Sequence, residues 1–140
     1  MILLDTNVIS EMMRPAPAPD VLAWLDACAY NELYVSAVTR AEILLGIELL
    51  PPGRRRTAIA ETAERLFTTF TTPILPFDAE AAAVFATIAS DRRRAGRPMD
   101  VLDAQIAAIA RCHNAALATR DLADFAHCGV RLINPWRSGR

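Results

Sequence analysis

Met1-Ile2-Leu3-Leu4-Asp5-Thr6-Asn7-Val8-Ile9-Ser10-Glu11 opens the chain, and its first seven residues decide the fold class. Ile2 to Leu4 is a short apolar run that stops at an acid, a hydroxyl and an amide, all of which favour helix starts. The stretch therefore reads as a buried strand passing directly into a helix. Leu33 to Val38 repeats the pattern as a second strand, with a helix from Thr39 through Leu50 that Pro51-Pro52-Gly53 stops. Ala115 to Ala118 reads as a further buried strand, and Val130 to Ile133 as the last.

Between these strands the periodicity is helical. Pro15, Pro17 and Pro19 interrupt the chain before Asp20 opens an amphipathic helix whose apolar side carries Val21, Leu22, Trp24, Leu25 and Cys28. Further helices are predicted from Arg54 to about Phe70, from Ala79 to about Arg94, and from about Asp100 to His113, with Gly96-Arg97-Pro98 ending the second of these. A short strand is predicted at Pro73 to Phe77, and a brief helix near Leu122 to Phe125. Short apolar strands alternating with helices imply a three-layer α/β/α sandwich around a mainly parallel sheet. Residues 1–140 read as a single domain, since 53% hydrophobic content is ample for one core.

Composition narrows the function classes. No apolar run approaches the roughly 18 residues of a membrane span, and Asp5 comes too early for a signal peptide, so a cytoplasmic protein is expected. Cys28, Cys112 and Cys128 show no C-x-x-C spacing and read as buried thiols. A zinc site from Cys112, His113, His127 and Cys128 is disfavoured, because neighbours in a helix diverge by about 100°. The net charge of -1 offers no bulk attraction to nucleic acid, so any polyanion contact must be local. All 15 basic residues are arginine. Arg54-Arg55-Arg56, and Arg92-Arg93-Arg94 with Arg97, are candidate phosphate contacts, with a solvated helix face as the favoured alternative.

In an open parallel sheet, ligands bind beyond the carboxyl ends of the strands. That rule gathers four scattered acids. Asp5 ends the first strand, Glu42 falls in the first turn of the helix after the second, and Asp121 follows Ala115 to Ala118. Asp103 lies in the first turn of the helix that runs down into that same strand, so antiparallel packing returns it to the same edge. Clustered carboxylates repel unless a cation compensates, and hard oxygen donors suit magnesium or manganese. Such a site fits phosphodiester hydrolysis by metal-activated water. Each acid also has a structural use. Thr39 and Glu42 fit a capping box, Asp5 a turn cap, and Asp100, Asp103, Asp121 and Asp124 helix-start positions.

The same residues carry a resemblance. Met1 to Glu11, Val35 to Ile43 with Gly46, Asp103 to Ala108, Ala118 to Asp121 with Asp124-Phe125, and Asn134-Pro135-Trp136 together resemble the PIN-domain family, specifically its VapC- and FitB-like toxin branch. The likeness runs nearly end to end, with four motifs in order. It implies a Mg2+-dependent endoribonuclease, with Mn2+ as substitute, in which Asp5, Glu42, Asp103 and Asp121 are catalytic metal ligands. Relatives often have asparagine at the fourth position and an aspartate three residues later, so Asp124 could share or replace the role of Asp121. Thr6, Asn7 and Thr119 are candidates for orienting the acids or touching phosphate, with turn residues as the alternative. The resemblance also implies an RNA substrate such as tRNA, an inhibiting antitoxin partner, and a homodimer in which the Val84, Phe85 and Ile88 stripe could take part; ordinary core is the alternative for that stripe.

Two other classes compete with this reading. Asp5-Thr6-Asn7 lacks the second aspartate of a dehalogenase-like phosphatase, and there is no lysine to support a receiver-type phospho-aspartate. A non-catalytic RNA-binding or protein-interaction module could keep the fold, but would not need all four acids.

Overall fold

The computed structural model describes residues 1–137. β1 (Ile2–Leu4), β2 (Leu33–Val35), β3 (Ala116–Ala118) and β4 (Leu132–Ile133) form one parallel sheet in the order β2-β1-β3-β4. Helices α1 (Thr6–Met12), α2 (Pro19–Ala27), α3 (Ala37–Glu48), α4 (Arg54–Thr69), α5 (Ala79–Arg94) and α6 (Val101–Cys112) connect the strands. β1 lies between β2 and β3, pairing Leu4 with Val35 on one side and Ala118 on the other.

Side chains alternate across a strand, and here the alternation divides the core in two. Leu3, Tyr34 and Leu117 face one cluster with Ile88 of α5 and Ile106 and Ile109 of α6. Leu4, Val35 and Ala118 face the other, with Val8, Val21, Ile43 and Ala63 from α1 to α4. Helices thus cover both faces, giving the expected α/β/α layers. Both clusters reach the carboxyl edge, so the residues that follow each strand sit on a rigid rim.

Several boundaries differ from the sequence reading. β2 ends at Val35 and α3 begins at Ala37, because the Ser36 hydroxyl caps the helix by accepting from the Thr39 amide at 3.1 Å. The Thr39–Glu42 capping box does not form, and Glu42 falls in the second turn of α3, not the first. The predicted strand at Pro73 to Phe77 shrinks to a single parallel bridge between Ser36 and Leu75. Pro73 and Pro76 lack the N–H groups needed to extend a ladder. The brief helix near Leu122 to Phe125 is a run of turns, and β4 is shorter than Val130 to Ile133. α2 begins at Pro19, and Cys28 terminates it in extended backbone.

The thiols and arginines also need correction. Only Cys128 is buried; Cys28 and Cys112 are half-buried, and all three are free. Arg92 is neither a phosphate contact nor on a solvated face. It is buried within the fold and donates to the backbone carbonyls of Arg97, Asp124 and Ala126 at 2.7, 3.0 and 2.8 Å. The bonds to Asp124 and Ala126 pin the turns that follow Asp121 to α5. Arg93 and Arg94 are exposed, while Arg56 pairs with Glu48 at 2.8 Å. Of the apolar stripe on α5, Ile88 is buried, and Val84 and Phe85 pack partly against the core.

Candidate active site

Asp5, Glu42, Asp103 and Asp121 line one pocket of about 470 Å³ at the carboxyl edge of the sheet. β1 delivers Asp5, whose amide extends the β1–β3 ladder by donating to Ala118 O at 2.9 Å. Asp5 is only 4% exposed. α3 supplies Glu42 and α6 supplies Asp103, whose amide is held by the capping carboxylate of Asp100 at 3.3 Å. The segment after β3 supplies Asp121. Asp124 lines an adjoining hollow together with Asp121, and its charge acts on Asp103.

Three short polar side chains tie this edge together. Thr119 is fully buried and donates to Asp5 Oδ2 at 2.8 Å, while its oxygen accepts from Asn7 Nδ2 at 3.3 Å and the Asp121 amide at 3.1 Å. Asn7 also donates to Asp121 Oδ2 at 2.9 Å, and its Oδ1 accepts from the Arg120 amide at 3.3 Å. Thr6 Oγ1 donates to Glu42 Oε1 at 2.7 Å and lies 3.0 Å from Thr39 Oγ1. A hydroxyl has one proton, so the Thr6 proton on Glu42 makes Thr39 the donor to Thr6. Among the described residues, Asp103 is the one acid of the four whose carboxylate receives no such bond.

Asp5 is also a helix cap, since Oδ1 accepts from the Thr6 amide at 2.8 Å. The two readings of that residue coexist, one per carboxylate oxygen. Burial, with smaller contributions from the charges of Glu42 and Asp121, pushes its carboxyl from 3.8 up to about 6 against the lowering bonds from Thr119 and Thr6. Asp103 is pushed from 3.8 to about 7, first by burial and then by Asp5, Asp100, Asp124 and Glu42. Burial is the larger cause at both carboxyls, and the neighbouring acids add to it.

The donor set is chemically suited to a hard divalent ion, being all carboxylate oxygen with no sulfur or imidazole. Among the described residues, no group of three or more Asp, Glu, His or Cys side chains is already arranged to hold a metal. Glu42 is drawn to Thr6 and Asp121 to Asn7, so these carboxylates are engaged by the protein.

Glu11, Arg14, Arg120 and Trp136 also line the pocket. Glu11 is buried, accepting from the Ala18 amide at 3.0 Å and pairing with Arg14 at 3.3 Å. Arg120 stacks over the Trp136 ring at 4.9 Å to its centroid. Glu11, Arg120 and Trp136 lie within the quoted motifs, but only their convergence from both ends of the chain shows that they share this pocket.

The chain matches the family model for the PIN domain over residues 2–129. It belongs to the PIN-domain family. It is 43% identical to Toxin FitB of Neisseria gonorrhoeae over 97% of this chain and 99% of that one. It is 39% identical to VapC ribonuclease Y4jK of Sinorhizobium fredii, over 97% of this chain and 98% of the relative. Among solved structures, FitAB bound to the IR36 DNA fragment superposes with a TM-score of 0.90 at 43% identity, covering 98% of this chain and 96% of that one. The four acids of this PIN domain therefore sit in a chain similar over nearly its full length to a named toxin and a named ribonuclease.

Proposed function

We propose that this chain is a divalent-metal-dependent endoribonuclease, a single domain over residues 1–140, that acts as the toxin of a toxin–antitoxin pair in the cytoplasm. The observation that carries the reading is the convergence of Asp5, Glu42, Asp103 and Asp121 on one pocket, with raised carboxyls at Asp5 and Asp103. Mg2+, with Mn2+ as substitute, is the cofactor that such oxygen donors favour. When bound, it supplies an activated water and stabilises charge on the phosphate oxygens. No helix among the described residues is long and apolar enough to cross a membrane.

The protein's part is to present oxygens in fixed directions. Thr119 and the Thr6 amide hold the two oxygens of Asp5, the Thr6 hydroxyl holds Glu42, and Asn7 holds Asp121. Asp103, free of such bonds, is the acid best able to turn toward a ligand. Asp121 rather than Asp124 completes the set, because it shares the pocket and the Asn7–Thr119 network; Asp124 acts through its charge. Such preorganised donors act without reorganisation during the reaction. RNA is the substrate class that the similarity to a VapC ribonuclease supports, and tRNA is the proposed member of that class. An antitoxin partner is supported by the toxin relative and by the FitAB assembly, and a homodimer remains part of the proposal.

The deciding experiment incubates labelled total RNA and tRNA with the protein in Mg2+ or Mn2+, against EDTA and Asp5→Asn controls. Cleavage lost in both controls is expected. Folded, antitoxin-free protein that cuts no RNA would instead favour the non-catalytic binding module.

A further inference from the structure

Arg120 stands in the wall of a pocket with four acids, yet among the described residues it forms no ion pair with any of them. An arginine in such company would ordinarily fork onto a carboxylate. Its guanidinium instead lies 4.9 Å over the Trp136 ring. Both partners are anchored. The Arg120 amide donates to Asn7 Oδ1 at 3.3 Å, and the Trp136 amide donates to Asn134 Oδ1 at 3.0 Å. Trp136 packs partly against the core, whereas Arg120 is exposed.

We propose that Arg120 stacked on Trp136 is a platform that holds an unpaired nucleotide of the substrate RNA beside the four acids. The inference rests on the ribonuclease reading and adds the element that grips the strand. A guanidinium lying over an indole is already ordered, so little rotamer freedom is lost when a base lies on its outer face. Its N–H edge stays available to the adjoining phosphate. A base can reach the platform only when splayed from its helix, because duplex RNA presents phosphates and hydroxyls and keeps its bases stacked. The track continues past the platform. Arg120 and Asp121 also line the neighbouring hollow, which extends to Asn134 and to exposed Arg137. With a net charge of -1, the chain has no general attraction for RNA, so affinity must come from local devices of this kind.

The test is steady-state cleavage of an RNA with an unpaired target. Arg120→Ala and Trp136→Ala should each raise KM about tenfold with kcat within about twofold, as expected for one lost stacking contact. Combining them should add little, because each removes the same platform. Arg120→Lys keeps the charge without the plane and should recover little. Trp136→Leu gives the same result without the larger cavity, should Trp136→Ala fail to fold. Trp24 and Trp136 are the two tryptophans. In Trp24→Phe/Asp5→Asn protein, which should bind without cutting, a short unpaired RNA should quench the Trp136 emission and a duplex should not. Full recovery of KM in Arg120→Lys, an unchanged KM in Arg120→Ala, or unmoved Trp136 emission would overturn the platform. Wild-type protein that cuts no RNA would overturn the ribonuclease reading; normal cutting by all platform variants would overturn only this inference.

Discussion

Replacing Asp5 by asparagine should stabilise the metal-free protein while abolishing cleavage. Asp5 is 4% exposed, and its carboxyl titrates at about 6 instead of 3.8. At about 1.4 kcal/mol per pKa unit, holding it ionised in the fold costs about 3 kcal/mol. The native state keeps its proton to higher pH than the unfolded chain. Stability therefore falls as pH rises from 3.8 to about 6, and the full cost is present above that window. Asparagine removes the charge and keeps an oxygen for the Thr6 amide. Its amide nitrogen meets a Thr119 hydroxyl that already accepts from Asn7 and Asp121, so one bond of about 1 kcal/mol is lost. The net gain is about 2 kcal/mol, or roughly 6 °C in Tm for a chain of this size. Melts in EDTA across the acid-to-neutral range measure it. Wild type should lose stability through the window, Asp5→Asn should lose less and keep the fall that Asp103, pushed to about 7, contributes, and Mg2+ or Mn2+ should raise the Tm of wild type alone. If Asp5→Asn melts below wild type near neutral pH in EDTA, the assignment of Asp5 as a strained, cation-seeking carboxylate is wrong.

Thr119→Val keeps the shape but removes a donor that lowers the Asp5 carboxyl, so the metal-free protein should lose more stability as pH rises toward neutrality; an unchanged pH dependence in EDTA would break the Thr119–Asp5 linkage. Arg92→Met should cost about 3 kcal/mol in urea unfolding, because a buried guanidinium and its three bonds to the carbonyls of Arg97, Asp124 and Ala126 are lost. A loss below about 1 kcal/mol would show water replacing the guanidinium. Ser36→Ala should cost about 1 kcal/mol as a lost cap. Thr39→Val should instead lower cleavage by releasing Thr6 from its donor; equal effects of the two on cleavage would refute the division of roles.

The helix caps show where local reading stops. Ser36 and Thr39 are both residues that favour a helix N-cap, and the local pattern points to Thr39, which alone has a glutamate three residues on. The choice was made when β2 paired with β1 and placed Ser36 at the strand end, which left Thr39 facing Thr6. Arg92 shows the same limit. In sequence it is one of three adjacent arginines; in the fold it meets a turn more than thirty residues away whose carbonyls need a donor. The prolines that confine the bridge at Leu75 were legible, but not that a single bridge would remain.

By itself the sequence determined the order of strands and helices, the placing of Asp5, Glu42, Asp103 and Asp121 near element ends, and the family, because short apolar runs and the polar residues beside them are local signals. Only the tertiary structure decided which hydroxyl holds which acid, that Arg92 is buried, and that Arg120 rests on Trp136. Asn7 meets Thr119 and Asp121 across more than a hundred residues, through the register of β1 on β3. Register is set by how two distant strands share one core, and no window of sequence contains both.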